Sequence, residues 1–178
     1  MKKILVSALA ILAMYSCSSD DDSNSDIEVQ EEQEENQTAE SIIRIAQVNA
    51  AEDTIVLTNF GNETAEVGGF FLCLGPGTYA NVGNIATGST SLAPDASITL
   101  SYDVSETVDG FSLFSTNTFG SSDPEILLDY VQWGEGNQAR VGQAVTAGRW
   151  NNANAFVPAT TSFSFTGDAT DVGDTFWE

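Results

Sequence analysis

The sequence predicts an all-β domain, an antiparallel sandwich or barrel, behind a short apolar leader and an acidic linker. Three observations predict it. Beyond residue 41, apolar residues recur in short runs, several of them alternating with polar ones as half-buried strands require. Gly, Pro, Asn and Asp break the chain between those runs. Helical periodicity is convincing only once, over residues 138–147.

Taken in order, Ile42, Ile43, Ile45 and Val48 mark a first strand that ends near Asn49. A second covers residues 54–58, and Asn59-Phe60-Gly61-Asn62 supplies a turn. Residues 67–74 are apolar on both faces and read as a buried strand, stopped by Gly75-Pro76-Gly77. A short strand around Tyr79 is followed by Gly-, Asn-, Ser- and Thr-rich chain, and Pro94-Asp95 makes a turn before a strand over 97–102. Residues 110–114 alternate, and residues 125–133 form the last strong strand. In the helix over 138–147, Ala139, Val141, Ala144 and Val145 share a partial apolar face, and Gly148 can end it. Phe163 and Phe165 alternate again. Residues 167–178 are acidic and read as an exposed tail or a final edge strand.

Charge excludes several function classes. The 178 residues hold 26 acids, five bases and no histidine, a formal charge of −21. Lys2 and Lys3 lie in the leader, so three arginines (Arg44, Arg140, Arg149) face all 26 acids beyond Cys17, a charge of −23. Nucleic-acid binding needs lysine and arginine against phosphate, and this balance argues against it. Without histidine there is no Ser-His-Asp triad, no Cys-His pair and no histidine zinc site. Cys73 is the one cysteine after Cys17 and reads as a small buried apolar residue. Residues 41–178 are long enough for one domain held by its core alone.

The leader has its own logic. Lys2 and Lys3 precede an uncharged, mostly apolar run over residues 4–14. A spanning helix needs about 20 apolar residues, so this run fits a secretory signal instead. Ser16 precedes Cys17. The layout resembles a bacterial lipoprotein signal, with Met14 and Tyr15 where that family carries Leu and a small residue. The resemblance implies cleavage after residue 16 and a fatty-acylated (palmitate-type) Cys17, with at least two chains for stable anchoring. Ser18-Ser19-Asp20-Asp21-Asp22 resembles the acidic signal that sends some lipoproteins to the outer face of the outer membrane; it reads equally as a solvated spacer. Residues 17–40 contain ten acids and few apolar groups, and are predicted to be a disordered stalk.

Several segments together resemble the lamin tail domain family. They are Asn59-Phe60-Gly61 after a strand, Gly69-Phe70-Phe71-Leu72, Leu92-Ala93-Pro94-Asp95, Asp129-Tyr130-Val131, then Arg140, Ala144 and Gly148-Arg149-Trp150. The resemblance covers residues 42–157. It implies an immunoglobulin-like antiparallel β-sandwich with one short helix, used as an interaction module on extracellular or membrane-attached proteins, and it carries no catalytic residues.

Candidate chemistry is sparse. Trp133 and Trp150, with Tyr130, are either core packing or an aromatic platform for sugars. Arg140 and Arg149 either pair with nearby acids or grip a carboxylate on a partner. Asp168, Asp171 and Asp174, with Glu178, are either a solvated acidic run or oxygen ligands for Ca2+, though their spacing is not that of an EF-hand loop. Asp123, Glu125 and Asp129 are the best paired carboxylates for glycoside hydrolysis, against a plain role in guarding a strand edge. The first expectation is a non-enzymatic, lipid-anchored binding or adhesion module on the outer membrane, facing the cell exterior, with a protein or glycan ligand. The alternatives are a carboxylate-dependent, glycosidase-like hydrolase and a Ca2+-stabilised structural envelope protein.

Overall fold

The computed structural model describes residues 39–158 and 161–178. The leader, Cys17 and nearly all of the predicted stalk lie outside the described residues. Glu40, expected at the end of the stalk, already belongs to the domain: its carbonyl accepts from Asn62 N–H at 2.9 Å.

Two antiparallel sheets pack as a sandwich, which selects that architecture over a barrel. The first sheet is built from β1 (Ile43–Asn49), β2 (Thr54–Asn59), β6 (Ala86–Thr87), β8 (Ser97–Ser101) and β11 (Ser162–Ser164), in the order β11-β1-β2-β8-β6. The second is built from β4 (Phe71–Gly75), β5 (Thr78–Asn81), β9 (Asp109–Phe114) and β10 (Leu127–Trp133), in the order β10-β9-β4-β5. A two-stranded ladder, β3 (Ala65–Glu66) with β7 (Ser91–Leu92), lies apart from both sheets.

Alternation explains the first sheet. Ile55 and Leu57 of β2, and Ile98 and Leu100 of β8, are buried while their neighbours are more exposed, as a period of two demands. They meet Leu72, Phe111, Leu113 and Trp133 of the second sheet in one core. Trp133 sits 5.4 Å from Phe163, ring centre to ring centre, and so joins β10 to β11 across the sandwich. Cys73 is fully buried and free.

Three elements differ from expectation. The run over 67–74 is not one strand: Phe70 N–H donates to the Val67 carbonyl, and Gly68-Gly69 turns the chain before β4 begins. The chain after β5 forms a short helix, α1 (Val82–Ile85), so the described residues hold two short α-helices rather than one. The expected helix over 138–147 shrinks to α2 (Val141–Thr146), because Arg140 is left-handed at φ 66° and cannot be a helical residue. Gly148, at φ 68°, ends α2 in a Schellman turn: its N–H donates to Val145, and Arg149 N–H donates to Ala144 at 2.8 Å.

The acidic C-terminus folds back instead of trailing away. Glu178 and Ser164 exchange backbone hydrogen bonds, Phe165 bridges Trp177, and Trp177 is buried against Phe163 and Phe165. A 3-10 turn (Asp174–Phe176) makes the approach. Among the described residues no helix is long and apolar enough to cross a membrane.

Candidate functional site

A groove of about 480 Å³ opens where the chain enters the domain. Its walls bring together four charged side chains, Glu40, Arg44, Glu125 and Arg149, with Leu128 and Thr170 between them. Two of the domain's three arginines therefore share one cleft in a strongly acidic chain.

Each wall has a local cause. The incoming segment is clamped by Asn59, which is fully buried. Its Oδ1 accepts from Ile42 and Gly61 N–H, and its Nδ2 donates to the Glu63 and Leu92 carbonyls. Gly61 has no room for a side chain: a Cβ there would lie 2.2 Å from the Glu40 carbonyl oxygen. The Asn-x-Gly signal thus fixes the groove wall that carries Glu40 and Arg44.

Arg44 projects from β1 into a closed setting. Its Nε lies 3.0 Å from Asp129 Oδ2, with both side chains almost wholly buried. The Nε–H does not point along a hydrogen-bond direction, so this contact is Coulombic. One terminal nitrogen donates to the Ala169 carbonyl at 2.8 Å, and the guanidinium stacks 4.6 Å over the Phe165 ring. The C-terminal hairpin thereby supplies the far side of the groove.

Arg149 arrives from the Schellman turn. Its Nε donates to the Leu127 carbonyl and a terminal nitrogen to the Pro124 carbonyl, at 3.3 and 2.8 Å. Among the described residues it has no carboxylate partner, contrary to the expected acid pairing; carbonyl oxygens hold it instead. Burial pushes its pKa below the ordinary arginine value. Asp129 and Glu40 oppose that shift, and the charge on Arg44 adds to it.

The remaining candidates are scattered. Trp133 is fully buried between the sheets, its Nε1–H donated to the Ser105 carbonyl. Trp150 is buried on the other side of β10 against Tyr130, and its Nε1–H goes to the Ala155 carbonyl. Neither ring presents a face to solvent, so the sugar-platform expectation is corrected: both are packing residues. Among the described residues, Tyr79 is the aromatic ring that reaches solvent most, 53 % exposed and 4.7 Å from the Phe119 ring centre. Arg140 stands at the start of α2, away from the groove, its Nε buried without a hydrogen-bond partner among the described residues.

The carboxylate candidates do not assemble either. Asp123 Oδ1 accepts from Glu125 N–H in a turn ahead of β10, so the two acids do not share a strand face. Asp129 is buried on Arg44. Asp171 Oδ2 accepts from Asp168 N–H, and Asp174 Oδ1 accepts from Asn151 Nδ2 at 3.3 Å. Among the described residues no three acids or cysteines come together as metal ligands, which corrects the Ca2+ grouping of Asp168, Asp171 and Asp174.

Sequence reasoning missed Arg44 and Glu40 as site residues. The available signal was their rarity and place: Arg44 is one of three arginines after the leader, set inside an apolar strand. Compared with protein-family models, with curated proteins and with solved structures, the chain matches none.

Proposed function

We propose that this chain is a lipid-anchored binding module displayed on the bacterial envelope, without catalytic activity of its own. The observation that carries the reading is the pairing of a signal-like leader over residues 1–16, followed by Cys17, with a β-sandwich head. The acyl groups on Cys17 would moor the molecule in the outer membrane, facing outward. The acidic residues between Cys17 and the head would be repelled by anionic lipid and set the head off the surface. The lamin-tail likeness belongs to the same proposal and gives the head its role as an interaction module for a protein or glycan.

Support for binding over hydrolysis comes from the carboxylates. Asp129 is committed to Arg44, and Asp123 and Glu125 are solvent-exposed neighbours in one turn. The groove offers mixed charge at a fixed geometry, which suits recognition.

Mass spectrometry of the protein extracted from its own membranes tests the anchor. The expected result is an acylated Cys17 at the N-terminus, lost along with membrane association in Cys17→Ser. A bare thiol at Cys17, or an N-terminus elsewhere, overturns it. Protease accessibility on intact cells then tests the outward face.

A further inference from the structure

The groove contains more charge than the fold uses. Arg44 is matched by Asp129. Arg149 is held by carbonyl oxygens alone and is half-buried beside a second guanidinium. The same groove is lined by Glu40 and Glu125, both exposed, whose carboxylates make no hydrogen bond within the described residues. Like charges gathered at a partly desolvated site raise its energy, and a counter-charge lowers it. A simple anion would relieve Arg149 but meet two glutamates. A simple cation would meet the reverse. A polyanion would also be repelled by the whole domain.

We infer that the groove binds a small zwitterion of the amino-acid or dipeptide type, its carboxylate on Arg149 and its ammonium between Glu40 and Glu125. Nε–H and one terminal N–H of Arg149 are donated to Leu127 and Pro124, and the N–H groups left at the tip of the planar guanidinium suit a carboxylate. The volume, about 480 Å³, lies within the range of ligand pockets and suits one or two residues. Glu40, Arg149 and Thr170 are far apart in sequence, so the site exists only in the folded head. The inference rests on the reading of the chain as a binding module but fails separately: the state of Cys17 decides the anchor, and the titrations below decide the groove.

Three arginines make the experiment direct, because the full chain can give no more than three arginine Nε–H signals by NMR. The probes are glycylglycine (both charges), N-acetylglycine (carboxylate alone) and glycinamide (ammonium alone). Glycylglycine is expected to move the Arg149 signal saturably, with a Kd of about 1 mM or tighter, and to leave Arg140 still. The single-charge probes are expected to bind at least about tenfold more weakly. Arg149→Lys keeps the charge and loses the fork, and should cost about tenfold. Because Arg149 also supports the chain around Leu127, Glu125→Gln and Glu40→Gln provide a second reading at exposed positions. Each should weaken glycylglycine and tighten N-acetylglycine. No saturable shift, equal shifts at Arg140 and Arg149, or variants that move both affinities in one direction would overturn the inference.

Discussion

Arg44 Nε lies 3.0 Å from Asp129 Oδ2, and this buried pair joins β1 of one sheet to β10 of the other. Asp129 Oδ2 also accepts from Ile45 N–H at 2.8 Å, and Oδ1 from Tyr130 N–H at 2.9 Å. Both residues sit beside irregularities in their ladders: β1 slips between Ile45 and Gln47, and β10 between Leu127 and Asp129. Such bulges re-aim side chains and free backbone groups for other partners. Here Ile45 N–H, next to the β1 irregularity, finds its partner in the opposite sheet.

Breaking that pair from one side should hurt more than removing it whole. Asp129→Asn leaves Arg44 buried with no counter-charge and is expected to cost about 3–5 kcal/mol. Arg44→Met with Asp129→Leu replaces the pair by apolar side chains and is expected to cost less, although Ile45 N–H then loses its acceptor. Urea denaturation of the full chain measures both. A single variant within about 1 kcal/mol of the parent would show that the pair is not held in a dry interior.

Gly148 carries the left-handed turn that aims Arg149 into the groove. Gly148→Ala is expected to destabilise by about 1 kcal/mol. It should also displace the Arg149 Nε–H signal while leaving Arg44 unmoved. Gly142, an exposed glycine inside α2, is the control. Gly142→Ala should stabilise by up to about 1 kcal/mol, because alanine is the better helix former.

Trp177 closes the open end of the sandwich over Phe163 and Phe165. Trp177→Ala is expected to cost about 3–5 kcal/mol by thermal or urea denaturation, a core-sized loss from the penultimate residue. A residue in a solvated tail would cost almost nothing, so a loss within about 0.5 kcal/mol would return residues 167–178 to a loose terminus.

Tyr130 predicts alkaline behaviour. Burial, with a smaller contribution from Asp109, raises its phenol pKa well above the ordinary value. The folded state therefore keeps a proton that the unfolded chain loses near pH 10, so stability is full below pH 10 and falls as pH rises past it. One such group contributes a slope of about 1.4 kcal/mol per pH unit above pH 10. Tyr130→Phe should flatten the slope by that amount, at the cost of the hydrogen bond from the Tyr130 hydroxyl to Gln132 Oε1. Tyr102, also raised by burial, leaves a residual slope in the variant.

Much of the fold could be read from local pattern. Ile55 and Leu57 alternate with Thr54, Val56 and Thr58, and Ile98 and Leu100 with Ser97, Thr99 and Ser101; the backbone pleat turns that alternation directly into one buried face. Gly148 as a helix end and Cys73 as a buried apolar residue follow from equally local chemistry. Over 67–74 and 138–147 a paired glycine turn and a left-handed Arg140 override apolar spacing.

By itself, then, the sequence determined that this is an all-β, strongly acidic head with no histidine chemistry, because those properties depend on composition and on neighbours two residues apart. The tertiary structure decided that Arg44 meets Asp129, that Arg149 opens beside Glu40 and Glu125, that Trp133 and Trp150 are interior, and that Trp177 comes home. Those relations join residues tens of positions apart across two sheets. They are set by bulges, turns and the burial of whole surfaces, and a period of two residues carries no information about which strand will lie opposite which.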